Sequence, residues 1–215
     1  MAKAEPKGPK SKLARARRTG ATARRGKIER STRETQLRCR IVLDGKGEST
    51  VSTGLPFLDH MLEQTARYAG FSMRMAGRGD IEVDEHHLTE DAGIVFGQAL
   101  SQALGDRAGI VRFGSAYAPL DEALSRVVVD LSRRPHCIFE DQGKLKGLSG
   151  TYATENLVEF FNALAIHCGA TLHVDYIRGK DRHHIAESMF KALGLALRDA
   201  VALGGRGVPS TKGVL

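Results

Sequence analysis

The pattern of apolar and polar positions along the chain predicts four helices. Residues 86–104 and 183–201 each begin with a polar histidine pair and continue with apolar side chains at helical spacing, which is typical of an amphipathic helix. Residues 59–70 and 155–169 are also typical of helices. Each of these ends at a glycine, which suits a left-handed C-terminal cap. Each half of the chain therefore holds two helices.

Short apolar or alternating runs predict six strands. Three lie in the first half (LRCRIVL, STVSTG and FSMRM) and three lie in the second half (SRVVVDLS, HCIFED and TLHVDYI). Each half then has the order strand, strand, helix, strand, helix. This order predicts an α+β fold in which helices cover one face of each sheet.

The two histidine-led helices are copies of one another. At an offset of 97, seven of the nineteen residues in 86–104 are identical to those in 183–201. The two earlier helices align on Gly70 and Gly169, and this alignment places His60 opposite Glu159. The repeat predicts an internal duplication within a single domain, residues 27–215, with pseudo-symmetric halves of about 27–118 and 119–215.

Positive charge is concentrated at the start of the chain. The net charge is +7, yet residues 1–25 alone hold nine Lys and Arg against one acid, so the remaining 190 residues are close to neutral. This acid-poor segment has no hydrophobic period, and we predict that residues 1–26 form a basic, disordered tail. Organellar targeting by the tail is the minor alternative to a cytoplasmic location.

Composition also bears on the partners. No stretch approaches the roughly 20 apolar residues that span a bilayer, so no membrane partner is expected. The near-neutral body has no aromatic-rich basic face, so nucleic acid is not expected either. Cys39, Cys137 and Cys168 have no CxxC spacing and are odd in number, which indicates small core residues in a reducing compartment.

The motif HHxxE occurs at the start of both repeated helices. The first His and the Glu are four residues apart and the second His and the Glu are three apart, so either imidazole can share a metal with the carboxylate. One copy alone is weak, because two surface or N-capping histidines would look the same. Because the motif recurs, each time after a further candidate ligand, we predict two metal sites. The eight candidates are His60, His86, His87, Glu90, Glu159, His183, His184 and Glu187.

Imidazole and carboxylate without thiolate suit Mn, Fe, Co, Ni or Zn better than Ca or Mg. Ligand type does not decide which of these metals binds. His136, His167 and His173 lack both a repeat partner and ligand spacing, so we interpret them as ordinary solvated or core histidines.

Five segments of the chain carry a family resemblance: LPFLDHMLEQ (55–64), DEHHLTEDAGI (84–94), DLSRRP (130–135), HHIAESMFKALGLAL (183–197) and PSTKG (209–213). They resemble the signature segments of the imidazoleglycerol-phosphate dehydratase family of histidine biosynthesis. They occur in the family's order, and the resemblance runs from about Ile28 to Leu215. No phosphatase segment is attached, so the chain resembles the monofunctional form.

The resemblance implies a fold, an assembly and a reaction. The fold packs the helices between two mixed four-stranded sheets, as in ribosomal protein S5 domain 2-like proteins. The implied cofactor is Mn²⁺, two ions per subunit, at sites shared between subunits of a homo-oligomer of 24. The implied hydro-lyase reaction converts imidazole glycerol phosphate to imidazole acetol phosphate and water.

The family's functional positions also map onto this chain. Its metal ligands fall on the same eight residues as the repeat. Its substrate-binding positions fall on Glu34, Arg112, Arg134, Lys191, Ser210 and Lys212. Arg, Lys and hydroxyl groups are suitable partners for a phosphate dianion.

The hypothesis for the mechanism starts from the substrate, which has no carbonyl beside the carbon that loses its proton. The imidazole ring must therefore accept electron density, as an imidazolate whose nitrogens bind the two metals. Glu34 is our first candidate for proton transfer, followed by Glu187 or a metal-bound water, with His60 also in the catalytic set.

Some positions depart from the family pattern. Arg133 stands where glycine is usual, and Arg134 is the preferred phosphate residue because it directly precedes Pro135. Glu159 occupies a ligand position that is His in some relatives. HHLTED differs from the commoner HHTVED only between the proposed ligands.

Three other classes of function are alternatives to the dehydratase. A metal-dependent hydrolase of another phosphate ester would use similar residues, and substrate trials showing no need for an imidazole would favour it. A nucleic-acid module would depend on the tail, and tail deletion would abolish its binding. The phosphate-type residues argue against a purely structural metalloprotein.

Overall fold

Two copies of one strand and helix arrangement follow each other along the chain. The computed structural model describes residues 23–204 and 207–213. The first copy contains β1 (Arg25–Ser31), β2 (Thr35–Val42), β3 (Ser49–Ser52), α1 (Pro56–Ala69), β4 (Ser72–Gly79) and α2 (His86–Leu104). The second contains β5 (Phe113–Leu120), β6 (Ala123–Asp130), β7 (His136–Glu140), β8 (Leu148–Ser149), β9 (Tyr152–Ala153), the 3-10 turn Thr154–Asn156, α3 (Leu157–Cys168), β10 (Thr171–Arg178) and α4 (Arg182–Val201).

The two main sheets have the same topology. Their strand orders are β1-β2-β4-β3 and β5-β6-β10-β7. In each sheet the last pair is parallel (β3 with β4, β7 with β10) and the other pairs are antiparallel. The equivalence confirms the predicted α+β duplication with two mixed four-stranded sheets.

The four helices lie between the sheets. Helix α2 packs on β1, β2 and β4 of the first sheet, and α4 packs on β5, β6 and β10 of the second. Between the sheets α2 packs against α3 and α4 against α1, so each helix pair joins the two halves. One continuous apolar core therefore contains residues from both halves. Within the described residues, no helix combines the length and apolar character needed to cross a membrane.

Glycines let the helix pairs approach closely at equivalent points. A Cβ added to Gly194 of α4 would lie 2.6 Å from the carbonyl oxygen of Thr65 in α1. A Cβ added to Gly97 of α2 would lie 2.9 Å from the carbonyl oxygen of Leu164 in α3. These are the two glycines that the sequence repeat matches, and their α1 and α3 neighbours are also equivalent at the offset of 99.

The first strand of each sheet was absent from the sequence prediction. β1 and β5 lack large apolar residues at alternate positions, because a helix crosses directly over each strand. A Cβ on Gly26 would lie 1.9 Å from the carbonyl oxygen of Ala99, and one on Gly114 would lie 1.9 Å from that of Ala196. β1 begins at Arg25, inside the segment predicted as tail, whereas residues 1–22 lie outside the described residues. The predicted boundary at 118 falls within β5, and the second sheet begins at Phe113.

The connection before the third helix of the chain breaks the symmetry. Only residues 53–55 join β3 to α1, but residues 141–156 join β7 to α3 and contain the β8–β9 hairpin. We call residues 148–153 the hairpin. It is anchored to α2 by the Tyr152 hydroxyl, 2.9 Å from the Thr89 hydroxyl, and by the Ala153 N–H, which donates to the Glu85 carboxylate at 2.9 Å.

The cysteines behave as predicted core residues. All three are free, with Cys39 and Cys168 buried and Cys137 half-buried. Burial raises the pKa of the Cys39 thiol to about 12 and the pKa of the other two thiols to about 11. A thiol with such a pKa is almost entirely protonated at neutral pH and is a poor nucleophile or ligand.

Candidate functional site

Three of the predicted metal ligands meet where α1 and α4 cross. His60 lies in the second turn of α1, and His183 and Glu187 lie one turn apart at the start of α4. Glu187 Oε2 is 3.2 Å from His60 Nε2 and 3.1 Å from His183 Nε2. We call these three residues the first cluster. It is the only group of three such ligands within 4.8 Å of one another among residues 23–204 and 207–213.

Local charge keeps the carboxylate of the first cluster ionised. Burial of Glu187 raises its pKa, but hydrogen bonds from Lys191 and His60 outweigh burial and hold that pKa below the usual value. Lys191 Nζ lies 2.7 Å from Glu187 Oε1, so a predicted substrate residue directly adjoins the cluster. The side chains of His60 and His183 are 42% and 43% exposed, so both imidazoles remain open to a ligand.

Aromatic side chains lie next to the first cluster. The Phe57 ring stacks on Tyr152 of the hairpin at 5.1 Å and meets His183 edge-on at 5.4 Å between centroids. These rings and His60 line a cavity of about 350 Å³, with the hairpin as its other side. The cavity is large enough for a small ring-bearing substrate beside the imidazoles.

The equivalent residues of the other half are not gathered in the same way. His86, Glu90 and Glu159 occupy the positions that match His183, Glu187 and His60. Glu90 is exposed and Glu159 is half-buried, and the described part of the chain shows no second three-ligand group. Replacement of a histidine by the carboxylate of Glu159 is one chemical difference between these two sets.

His87, the second histidine of the pair at 86–87, has carboxylate groups beside its imidazole. His87 Nδ1 lies 3.2 Å and 3.3 Å from the two carboxylate oxygens of Asp80 and 3.9 Å from Glu34 Oε2. The hydrogen bond with Asp80 is the main cause that raises the pKa of His87. Glu34 lies in the turn between β1 and β2, and its side chain is 57% exposed.

The second histidine of the other pair also has a carboxylate partner. His184 Nδ1 lies 2.8 Å from Glu122 Oε2, and this contact is the main cause that raises the pKa of His184. Glu122 Oε1 accepts hydrogen bonds from the backbone N–H groups of Lys180 and Asp181, both at 2.9 Å. The Asp181 N–H, followed by His184, lowers the pKa of Glu122 to about 2.

Phosphate-type residues collect at a different place, around Asp130. Arg112 donates to the two oxygens of this carboxylate at 2.6 Å and 3.0 Å, and Arg134 Nη2 lies 3.7 Å from it. Arg112 also donates to the Pro209 carbonyl oxygen at 2.9 Å, which brings the segment with Ser210 alongside. Four predicted substrate residues (Arg112, Arg134, Ser210 and Lys212) thus belong to one region, which we call the basic cluster.

The two arginines of the DLSRRP segment have different surroundings. Arg133 donates to the Gly105 carbonyl oxygen at 2.8 Å, whereas the Arg134 side chain is 73% exposed. Of the two side chains, that of Arg134 is therefore the one that is open to a ligand. The φ of Arg133 is +60°, a left-handed value that glycine adopts more readily than arginine.

Sequence reasoning missed three acids: Asp80, Glu122 and Asp130. Each lies beside a predicted site residue but outside the ligand motifs. Glu122 had a usable signal, since it is the equivalent of Glu34 once β1 is aligned with β5 at an offset of 88. That alignment was hidden because neither strand has an apolar pattern.

The duplicated α+β fold and a histidine–carboxylate cluster beside an aromatic cavity together define an enzyme whose centre has the ligand types of a metal site. A family model fits this class: imidazoleglycerol-phosphate dehydratase matches residues 53–197. The chain belongs to the imidazoleglycerol-phosphate dehydratase family, a hydro-lyase family of histidine biosynthesis.

Relatives and solved structures agree with the family model. An imidazoleglycerol-phosphate dehydratase of Acidithiobacillus ferrooxidans is 51% identical over 195 residues, covering 89% of this chain and 98% of the relative. One from Frankia casuarinae is 48% identical, covering 90% of this chain and 100% of the relative. The crystal structure of IGPD from Pyrococcus furiosus in complex with (S)-C348 has a TM-score of 0.76 at 38% identity, covering 87% of this chain and 100% of that chain.

Proposed function

We propose that this chain dehydrates imidazole glycerol phosphate to imidazole acetol phosphate with two bound metal ions. Family membership supports the reaction. The main observation behind the metal assignment is the first cluster. In it, Nε2 of His60 and Nε2 of His183 lie 3.2 Å and 3.1 Å from the ionised carboxylate of Glu187.

The donor set fits the expected Mn²⁺. Two imidazole nitrogens and one carboxylate oxygen, without a thiolate, are suitable ligands for Mn²⁺ and its neighbours in the first transition row. We propose that the equivalent set, His86, Glu90 and Glu159, contributes to the second ion. Bound Mn²⁺ would supply Lewis-acid stabilisation of the substrate's imidazole ring as an imidazolate.

Residues of the chain then orient the substrate. The basic cluster has the charge and hydroxyl groups to bind the phosphate dianion, and Lys191 adds a further positive charge next to Glu187 of the first cluster. The exposed carboxylate of Glu34, 3.9 Å from His87, is free to take the proton from the carbon that reacts. The neighbouring hydroxyl leaves and takes up the abstracted proton as water, and the enol that remains shifts its proton from oxygen to carbon to give the ketone. The product therefore differs from the substrate by one water.

We propose a homo-oligomer of 24 subunits in which sites form between chains. The first cluster supplies three ligands from one chain, whereas His87 and His184 each have their own carboxylate partner and lie outside it. Ligands from a second subunit would complete each ion. The free thiols agree with the expected cytoplasmic location.

Removal and return of metal test the proposed function. The purified protein is stripped with a chelator under anaerobic conditions and then titrated with Mn²⁺. Dehydration of imidazole glycerol phosphate and particle mass are followed in parallel. We expect activity to return as about two Mn²⁺ bind per chain, in a particle of 24 subunits. A metal-free protein with full activity would contradict the metal assignment, and turnover of phosphate esters without an imidazole would favour a hydrolase.

A further inference from the structure

Two of the predicted ligand histidines outside the first cluster, His87 and His184, share one arrangement. His87 and His184 each point Nδ1 at a carboxylate, Asp80 at 3.2 Å and Glu122 at 2.8 Å. A metal-binding histidine commonly donates its second ring N–H to a carboxylate, which fixes the tautomer and the direction of the free nitrogen. In both histidines Nε2 is thereby left as the nitrogen that can bind a ligand. The exposed carboxylate of Asp121 lies 3.9 Å from Nε2 of His184, beyond hydrogen-bond distance.

The acids that serve the two histidines are not equivalent residues. Strands β1 and β2 superpose on β5 and β6 at an offset of 88, since the pair Arg25–Val42 corresponds to Phe113–Asp130. At this offset Glu34 corresponds to Glu122, and both lie in the turn between the two strands.

The equivalent glutamates nevertheless have different contacts. Glu122 is fixed by two backbone N–H groups and His184, each within 2.9 Å. Glu34 has its nearest imidazole nitrogen at 3.9 Å, because Asp80 from the loop after β4 already contacts His87 Nδ1. In the loop of 180–181 after β10, Asp181 accepts a hydrogen bond from the backbone N–H of His184 at 3.2 Å, whereas the imidazole Nδ1 is paired with Glu122.

We propose that Glu122 and Asp80 are positioning residues that hold His184 and His87 with Nε2 free for metal. Because Asp80 serves His87, the equivalent glutamate of the first half, Glu34, is released for proton transfer. This inference rests on the proposed two-metal function and assigns a separate role to each of the three acids.

Substitutions at Glu122 separate positioning from a merely structural role. In Glu122→Gln the glutamine oxygen still accepts from the Lys180 and Asp181 N–H groups, so its amide NH₂ faces His184. His184 must then accept at Nδ1 and carry its proton on Nε2, which is the tautomer that cannot bind metal. In Glu122→Ala a water can accept from Nδ1, but the 180–181 loop loses its acceptor.

Glu122→Gln should therefore bind metal more weakly than Glu122→Ala, although Glu122→Gln should be the more stable of the two variants. We expect Glu122→Gln to bind one of its two Mn²⁺ ions about 10–100-fold more weakly than wild type, and Glu122→Ala to lose less affinity. Glu122→Ala should have the lower melting temperature. Mn²⁺ titration followed by electron paramagnetic resonance, with thermal unfolding of the metal-free protein, measures both orders. Glu140→Gln, an exposed acid at the end of β7, is the control and should match wild type.

Glu34→Gln completes the test. It should keep both Mn²⁺ affinities and lose at least about 100-fold in turnover, as expected for a group that transfers a proton. Wild-type Mn²⁺ affinity in Glu122→Gln, or weaker binding in Glu122→Ala than in Glu122→Gln, would overturn the positioning role while leaving the two-metal function intact. Failure of the wild-type chain to bind two Mn²⁺ would instead remove the proposed function itself.

Discussion

At the scale of single residues, Asp130 is the acid around which two of the proposed phosphate residues are arranged. It engages two donor groups of Arg112 and lies 3.7 Å from Arg134, and the contact raises the pKa of Arg112. A phosphate needs guanidinium donors in a fixed orientation, but a carboxylate nearby also repels it. Which effect is larger decides whether Asp130 helps or hinders binding.

We expect orientation to be the larger effect. Asp130→Asn loses the paired acceptors of Arg112, so KM for the phosphate substrate should rise about tenfold, or roughly 1.4 kcal/mol, while Mn²⁺ affinity stays unchanged. Asp175→Asn, which breaks the similar Arg126–Asp175 pair elsewhere on the second sheet, is the matched control. A lower KM in Asp130→Asn would show that repulsion dominates.

Much of the site at this scale was accessible from sequence. The HHxxE repeat identified His183 and Glu187, and the alignment of the earlier helices identified His60. Asp130 and Asp80 lie only 4 and 7 residues from Arg134 and His87, but neither acid recurs at the matching position of the other half. The repeat that revealed the ligands therefore does not reveal these two acids, although Asp130 lies within the DLSRRP segment.

At the scale of elements, the helix crossings determine how the first cluster is held. α1 carries His60 and α4 carries His183 and Glu187, so the separation of the two helices sets the separation of the ligands. Gly194 permits this separation because any Cβ there would lie 2.6 Å from the backbone of Thr65.

Gly194→Ala should push α1 and α4 apart. Overpacking of this kind costs about 1–3 kcal/mol, which corresponds to a fall of about 2–10 °C in melting temperature. Gly97→Ala crowds the equivalent crossing of α2 and α3 and should destabilise similarly. Only Gly194→Ala should also weaken Mn²⁺ binding at the first cluster. Arg198→Ala, on the exposed face of α4, is the control, and equal Mn²⁺ affinity at the first cluster in both glycine variants would contradict this account.

The sequence predicts the helices and strands whose apolar residues form a clear pattern, and it misses those without one. All four helices were found, since each has one clear core face. β1 and β5 were missed because Gly26 and Gly114 take the places where a strand would show large apolar residues. The hairpin was missed because it has no counterpart in the first half that would reveal it by repetition.

At the scale of the whole molecule, neither half has a complete interior. The packing of α2 on α3 and of α4 on α1 means that each half covers apolar surface of the other. The first cluster also takes His60 from one half and Glu187 from the other. Folding and ligand assembly therefore both require the two halves together.

A chain divided in the α2–β5 connection tests this interdependence. Fragments 1–108 and 109–215, produced separately, should show no cooperative thermal unfolding, because each exposes an uncovered helix face. Produced together, they should associate and recover Mn²⁺ binding at the first cluster. Cooperative unfolding of either fragment alone would contradict the shared core.

The crossed helix pairs also bear on the origin of the chain. An ancestor with a single half would have buried its helix faces only against an identical twin, so it would have existed as a symmetric dimer with identical centres. Once two copies of the gene were joined into one, each centre could change by mutation independently of the other. A dimer of identical halves would have had the hairpin and Asp80 in both halves. In this chain the hairpin occurs only in the second half and Asp80 only in the first, so these differences date from after the fusion.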